Sequence, residues 1–180
     1  VRDKQGNLYH QEAMMNLSLA DKRYRAGDVI GYLRKNGLMA NIDFRILELA
    51  LEKIEADSVK IAVNISDVVV NSETSFFEFE ALFDRCKSAC LSNLMVEIDE
   101  MVAVNHPISA HNFIVMLKKY GISVGLQAVG VKLLDVVNID RYGFDYIKIA
   151  PVCFQDITAS ENGVIVSRIT SMAHAIECYV

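Results

Sequence analysis

Leu94-Met-Val-Glu97-Ile-Asp-Glu100 is a short, apolar stretch that ends in carboxylates, and it sets the pattern for the chain. This composition is typical of a buried strand in a parallel sheet. Gly125-Leu-Gln127-Ala128-Val-Gly130 is a second short stretch of this kind, with the neutral polar residue Gln127 near its end. The two stretches predict buried strands whose ends carry the chemistry of this protein.

Amphipathic helices alternate with such strands along the sequence. Apolar residues at helical spacing predict a core-facing helix over residues 42–54, with Asn41 as a candidate N-cap. A β-hairpin is predicted over residues 1–3 and 8–15, with Gly6 and Asn7 in its turn. Further strands are predicted over 60–65, 94–98, 122–127 and 146–150, and further helices over 76–89, 110–119 and 163–178.

The alternation favours βα units around a parallel sheet, which both a barrel and an open doubly wound sheet satisfy. Polar residues fall at or near the C-terminal ends of predicted strands, namely Asn64, Glu97, Gln127 and Lys148. In a barrel these ends meet at one mouth, where active sites are built. We therefore predict an α/β fold of the TIM-like (β/α) barrel type, as a single domain over residues 1–180. Because a full barrel takes about 200 residues or more, we expect it to be incomplete at both ends and truncated before the last strands.

Composition excludes several classes of partner. The net charge is −5, so no overall field draws the chain to nucleic acid, and the basic runs Lys22–Arg25 and Arg34–Lys35 are interpreted as solvated loop faces. No apolar run approaches the roughly 18 residues that span a bilayer. We expect direct nucleic-acid binding to be absent and any membrane contact to come from parts outside this stretch. The cysteines lack a paired CxxC arrangement, which favours a reducing cytoplasm.

Four motifs, in order, resemble those of the EAL family of cyclic di-GMP phosphodiesterases. Tyr9-His-Gln-Glu12-Ala13-Met14 is similar to the Glu-Ala-Leu signature, Val63-Asn64-Ile-Ser66 to Val-Asn-x-Ser, Glu97-Ile-Asp-Glu100 to Glu-x-Thr-Glu, and Tyr146-Ile-Lys148-Ile-Ala150 to Ile-Lys-Ile-Asp. Their order and spacing agree over nearly the whole chain. Dispersed motifs in a fixed order are far more specific than any one of them, so the resemblance also implies the barrel fold.

The resemblance implies chemistry in which two divalent ions activate a water that attacks a phosphodiester. By that resemblance, Glu12, Asn64 and Glu97 stand at metal-ligand positions. Glu100 corresponds to the carboxylate that braces the loop after an aspartate pair, and Lys148 to the lysine that orients the nucleophilic water.

The chain departs from the family where the cations need charge. Gln127 and Ala128 replace the aspartate pair, Ala150 replaces a third carboxylate, and Asn16 replaces an arginine that grips ligand phosphate. The loop after the pair is also altered, to Val129-Gly130-Val131-Lys132. We therefore predict that no catalytic site is intact and that no cofactor is bound. A single Mg²⁺ or Mn²⁺ ion at Glu12, Asn64 and Glu97 would bind weakly.

The retained residues also have plainer interpretations. Glu97 and Lys148 would form a buried ion pair kept for structure, because removing either partner would strand a charge. Asn64 would only hydrogen-bond to neighbouring strand ends. Glu12 would be a surface carboxylate.

Within the family, Gln127-Ala128-Val-Gly130, Asp145-Tyr-Ile-Lys148 and Ser160-Glu161-Asn162 are most similar to non-catalytic, CsrD-type regulators of small-RNA turnover. This resemblance implies a regulatory module that binds a protein, with a sugar-phosphotransferase signalling protein as the candidate partner. It also implies the cytosolic domain of a larger membrane-anchored bacterial protein. Tyr24, Tyr32 and Leu33 are candidate anchors for a partner. The alternatives are a receptor that binds cyclic di-GMP without cutting it and, third, an active phosphodiesterase.

Overall fold

A computed structural model describes residues 1, 5–6, 8–130, 132, 139–154 and 160–180. The chain divides into two compact units, Val1–Met95 and Val96–Val180. Within the described residues, no helix is long and apolar enough to cross a membrane.

The first unit contains short strands and the longest helix. Its elements are β1 (Gln11–Ala13), β2 (Asn16–Leu19), β3 (Lys22–Arg25), α1 (Ala26–Lys35), α2 (Met39–Asp57), β4 (Ile61–Asn64), α3 (Asp67–Val70), α4 (Glu73–Phe83) and α5 (Ser88–Leu91). β1 pairs in parallel with β4, and Glu12 lies opposite Ala62. β2 and β3 form a separate antiparallel hairpin.

Helix α2 buries one face, as its periodicity predicts. Leu47, Ala50, Leu51 and Ile54 are buried at helical spacing. The predicted N-cap is wrong, because the helix begins at Met39 after Leu38 and Asn41 lies inside it. Ser58 ends the helix in the left-handed conformation, with φ 54°.

The segment after β1 differs most from the predictions. Lys22–Arg25 forms strand β3 instead of a solvated loop, because Tyr24 pairs with Leu17 across the hairpin. Helix α1 was not predicted. The predicted strand over residues 8–15 shortens to β1, and residues 2–4 and 7 of the predicted hairpin lie outside the described residues.

The second unit holds the end of β5 (Leu94–Asp99), then α6 (Glu100–Asn105), α7 (Pro107–Lys119), β6 (Ser123–Val129), β7 (Tyr146–Ile149) and α8 (Ser160–Ala175). Two 3₁₀ turns, Ile139–Tyr142 and Pro151–Phe154, flank β7. β6 lies between β5 and β7 and is parallel to β7. After α8, Tyr179 forms a parallel bridge with Tyr146.

Parallel strands joined through helices confirm the predicted α/β class. Every strand that was predicted from residue 60 onward is present, within a residue or two at each end. The core of the second unit comes from the strands and from the inner face of α7, and its fully buried members include Val96, Ile98, Phe113, Leu117, Val124 and Leu126. This packing fixes the strand ends, which carry the polar residues considered next.

Candidate functional site

The first unit brings Glu12 and Asn64 together. Glu12 is central in β1, Asn64 ends β4, and Asn64 Nδ2 donates to Glu12 Oε1 at 3.0 Å. Asn64 Oδ1 is buried and has no hydrogen-bond partner among the described residues. An unpaired buried oxygen carries a desolvation penalty, so this atom is suited to accept a donor or to ligate a cation. Two ligand-capable side chains thus survive in this unit.

A buried carboxylate holds the loop that follows Asn64. Asp43 of α2 is 3% exposed and accepts a hydrogen bond from the Ser66 amide at 2.9 Å. Burial raises the pKa of the Asp43 carboxyl above its ordinary value. Beside it, Arg34 pairs with Asp67 at 2.7 Å, and the hydrogen bond from that guanidinium lowers the pKa of the Asp67 carboxyl. These contacts fix the backbone just beyond Asn64.

Asn16 and the predicted partner anchors also lie in the first unit. Asn16 is exposed on β2, and its Nδ2 donates a long hydrogen bond, of 3.3 Å, to the Met14 carbonyl. Tyr32 is 67% exposed and Tyr24 is half-buried, but Leu33 is only 4% exposed. Leu33 is therefore part of the core, and the prediction that it anchors a partner is wrong.

In the second unit, Glu97 has both carboxylate oxygens engaged. The side chain is fully buried, at 0% exposure. Tyr146 donates its phenol hydrogen to Oε1 at 2.7 Å, and Lys148 Nζ donates to Oε2 at 2.7 Å. The buried ion pair that was one interpretation of the sequence is therefore present.

The end of strand β6 keeps an irregular backbone without carboxylates. The register between β6 and β7 shifts between Leu126 and Val129. Ala128 lies within this bulge, is exposed, and has the left-handed φ of 55°, which is unfavourable for a residue with a Cβ. Gln127 precedes it and is half-buried. Ala150 follows β7 and donates its amide to the Val129 carbonyl at 2.8 Å.

Glu100 holds the residue that follows β6. It is 6% exposed at the start of α6, and its Oε1 accepts a hydrogen bond from the Gly130 amide at 3.1 Å. Lys132 is described but Val131 is not, so most of the altered loop after Gly130 lies outside the described residues.

The second unit does not fit a pair of divalent cations. Such ions need several carboxylate oxygens, and Gln127 and Ala128 supply no charge. At Glu97, a cation would have to displace a phenol and compete with the ammonium of Lys148. No three His, Cys, Asp or Glu side chains in the described part of the chain lie close enough together to hold a metal.

Tyr146 is the contact that sequence reasoning missed. It stands two residues before Lys148, so both side chains project from the same face of β7. Opposite it in β6 lies Gly125, which has no side chain to block the ring. Because Gly125 lies opposite Tyr146 only in the folded register, the sequence alone carried no signal for this contact.

Comparison with known proteins gives a consistent fold. The EAL domain family model matches residues 1–180. The solved Vibrio cholerae LapD S helix-GGDEF-EAL protein, bound to c-di-GMP, has a TM-score of 0.91 at 17% identity over 98% of this chain and 44% of its own. The Pseudomonas aeruginosa FimX EAL domain, bound to c-di-GMP, gives 0.78 at 16% identity over 93% and 69%. The PaMucR phosphodiesterase in complex with c-di-GMP gives 0.82 at 17% identity over 96% and 73%.

These likenesses confirm the EAL-type α/β barrel fold, of which this chain contains a part. The chain spans 44% of the LapD protein that it matches. No curated protein matches it in sequence. One of the three solved structures is of a phosphodiesterase, so the fold alone does not decide whether this chain hydrolyses anything.

Proposed function

This chain belongs to the EAL domain family, and we propose that it is a catalytically inactive regulatory module that acts by protein–protein interaction. One observation carries the proposal: Tyr146 and Lys148 engage both oxygens of Glu97, beside a strand end that holds Gln127 and Ala128. The proposed module has no resident cofactor.

The charge at this strand end supports the loss of hydrolysis. A two-ion mechanism needs carboxylates to offset the mutual repulsion of the cations. Here the aspartate positions are neutral, and the Glu97 carboxylate of the neighbouring strand is already neutralised by an ammonium at 2.7 Å. The bulge at Ala128 keeps the strained backbone while its side chain offers no ligand. A strand end that has the irregular backbone but lacks the metal ligands is expected of a module that acts by binding a protein and not by hydrolysis.

Within the family, we propose a CsrD-type role in small-RNA turnover, carried out in the cytoplasm as part of a larger membrane-anchored bacterial protein. The proposed partner is a sugar-phosphotransferase signalling protein. Tyr32 supports a binding surface on α1, because a large aromatic side chain that is 67% exposed is the residue type that most often dominates interface energetics.

Calorimetric titration with that purified signalling protein tests the partner. We expect saturable binding that Tyr32→Ala weakens by about tenfold or more. Tyr179→Ala is the matched control, since Tyr179 is a similarly exposed tyrosine of the second unit, and it is expected to bind like the wild type. If the folded protein gives no heat, this partner is wrong.

A second candidate is a receptor that binds cyclic di-GMP without cutting it. Its support is that the matched LapD and FimX structures have c-di-GMP bound, and that Asn64 Oδ1 is a buried acceptor with no hydrogen-bond partner among the described residues. The absence of an arginine at Asn16 counts against it, because a bidentate contact to phosphate is lost. Micromolar binding in a calorimetric titration, with and without Mg²⁺, would favour the receptor. No heat at high ligand concentration from folded protein would exclude it.

A further inference from the structure

Tyr146 crosses the neighbouring strand because Gly125 leaves room for it. The two residues lie opposite each other in the parallel pair β6 and β7. A Cβ added at Gly125 would overlap the Cζ and Cε2 atoms of the Tyr146 ring and would lie 2.7 Å from its hydroxyl oxygen. Only glycine permits this ring position, so the contact of Tyr146 depends on the glycine at residue 125.

This position lets the phenol reach the strand beyond. β6 lies between β7 and β5, and Glu97 belongs to β5. The Tyr146 hydroxyl donates to Glu97 Oε1 at 2.7 Å, a short bond to an ionised acceptor. From the same face of β7, Lys148 takes the other oxygen at the same distance.

The two donors divide the carboxylate between them. A fully buried carboxylate is costly unless its charge and its lone pairs are compensated. Lys148 compensates the charge, and Tyr146 satisfies the oxygen that Lys148 does not reach. A divalent cation that approached Glu97 would find neither oxygen free.

We propose that Tyr146, whose ring lies over Gly125, is a positioning residue. By holding Oε1 of Glu97 in a hydrogen bond, it makes this strand end selective against divalent cations. The inference rests on the proposed non-catalytic function and deepens it. With both oxygens hydrogen-bonded, Glu97 contributes to the stability of the second unit. The tyrosine hydroxyl occupies Oε1, the oxygen that a metal ion would otherwise bind.

A double-mutant cycle in the full chain tests the contact. Tyr146→Phe, Glu97→Gln and the double variant are unfolded in urea. We expect a coupling of about fivefold in the unfolding equilibrium constant, since a bond to a charged acceptor is stronger than one to a neutral acceptor. Tyr142→Phe is the matched control, because that buried hydroxyl donates to the Ala103 carbonyl and should show no coupling to Glu97. A Tyr146 coupling below about twofold would overturn the proposal.

The position of the Tyr146 ring over Gly125 is tested by Gly125→Ala, which should displace the ring. In that background, Tyr146→Phe is expected to change the unfolding equilibrium constant by less than about twofold. If the hydroxyl keeps its full effect in the Gly125→Ala variant, the glycine is irrelevant and the proposal fails in that part. Should Gly125→Ala not fold, the cycle above still decides the contact.

Selectivity is tested by Mn²⁺ titration, with free Mn²⁺ followed by electron paramagnetic resonance. Tyr146→Phe is expected to take up Mn²⁺ at a concentration about fivefold lower than the wild type or the Tyr142→Phe control, because one oxygen is freed. Equal uptake by all three proteins would overturn the selectivity. The proposed function fails separately, if the wild type hydrolyses cyclic di-GMP.

Discussion

The strand ends of the two units hold their family residues in different ways. In the first unit, Glu12 and Asn64 share one hydrogen bond, and Asn64 keeps a buried oxygen that has no partner among the described residues. In the second, Glu97 is fully buried and both of its oxygens have donors. Asn64 of the first unit thus keeps an oxygen that could bind a ligand, whereas both oxygens of Glu97 are used in internal contacts.

The difference teaches that a retained motif residue is not evidence of a retained function. Glu97 and Lys148 match the family motifs as well as Glu12 and Asn64 do. Their contacts predict a structural role, because removing one partner of a buried ion pair strongly destabilises a protein. The predictions below test whether the two regions really differ in this way.

The largest effect is expected at Lys148. Lys148→Met should lower the free energy of unfolding by about 3–5 kcal/mol, because it leaves Glu97 buried without a countercharge. In the first unit, Asn64→Ala should cost only about 1 kcal/mol, the value of one partly buried hydrogen bond. Urea denaturation of both variants measures the contrast.

The control for charge is Lys53→Met, since Lys53 forms an exposed ion pair with Asp57 on α2. Exposed pairs of this kind contribute about 0–1 kcal/mol. Equal losses for Lys148→Met and Asn64→Ala would erase the proposed difference between the two regions.

A smaller effect is expected at Glu100, which holds the Gly130 amide. Glu100→Ala should lower the free energy of unfolding by about 1–3 kcal/mol, because the half-buried Gly130 amide loses its charged acceptor. Glu100→Gln retains an acceptor oxygen and should recover most of that loss. If the Ala and Gln variants were equally unstable in urea, charge and not the hydrogen bond would hold this residue.

Relief of backbone strain should stabilise the chain. Ala128 and, in the turn of the β2–β3 hairpin, Ala20 both have left-handed φ values, 55° and 51°. Replacing either with glycine is expected to raise the free energy of unfolding by about 0.5–1 kcal/mol. Ala89→Gly, inside helix α5, should instead lower it by a similar amount, about 0.5–1 kcal/mol. A loss at Ala128 would show that its methyl group packs in a way its exposure does not suggest.

The smallest effect concerns pH and the first unit. The pKa of Asp43 is raised by burial, so its contribution to stability is complete below the ordinary carboxyl range and is lost as pH rises through the raised value. Asp43→Asn should remove this loss, so the stability of the variant relative to the wild type should be higher at neutral pH than in acid. Arg34, Asp67 and Ser66 are the groups that face it.

Asp67→Asn provides a control of opposite sign. The pKa of Asp67 is lowered by Arg34, so its contribution is present above the ordinary carboxyl range and is lost as pH falls. That variant should lose stability at neutral pH but not in acid. Stability measured in urea from acid to neutral pH separates the two, and parallel pH profiles would contradict both assignments.

Periodicity predicted the parts of the fold in which burial follows a regular repeat. Helix α2 and strands β4 to β7 have such repeats, and they were placed within a few residues. The β2–β3 hairpin was missed because its strands are short and exposed, so cross-strand pairing of Leu17 with Tyr24, and not burial, defines them. The N-cap at Asn41 failed because α2 starts two residues earlier, after the apolar cap residue Leu38, so Asn41 lies in its first turn.

The site was predictable as a set of residues but not as a set of contacts. The motifs identified Glu97 and Lys148, and the cost of leaving a buried charge unpaired predicted their ion pair. The third member, Tyr146, depends on the register that places Gly125 opposite it, which a single sequence does not specify. The strain at Ala128 likewise follows from a bulge between β6 and β7, and such an irregularity leaves no mark in hydrophobic periodicity.

The most direct test of the central claim is a hydrolysis assay with cyclic di-GMP and saturating Mn²⁺ or Mg²⁺, run beside the PaMucR phosphodiesterase. Because the aspartate positions are neutral and both oxygens of Glu97 are hydrogen-bonded, we predict no product above the metal-only blank. The phosphodiesterase should consume its substrate under the same conditions. Metal-dependent turnover by this chain, abolished by Glu97→Gln, would contradict the account.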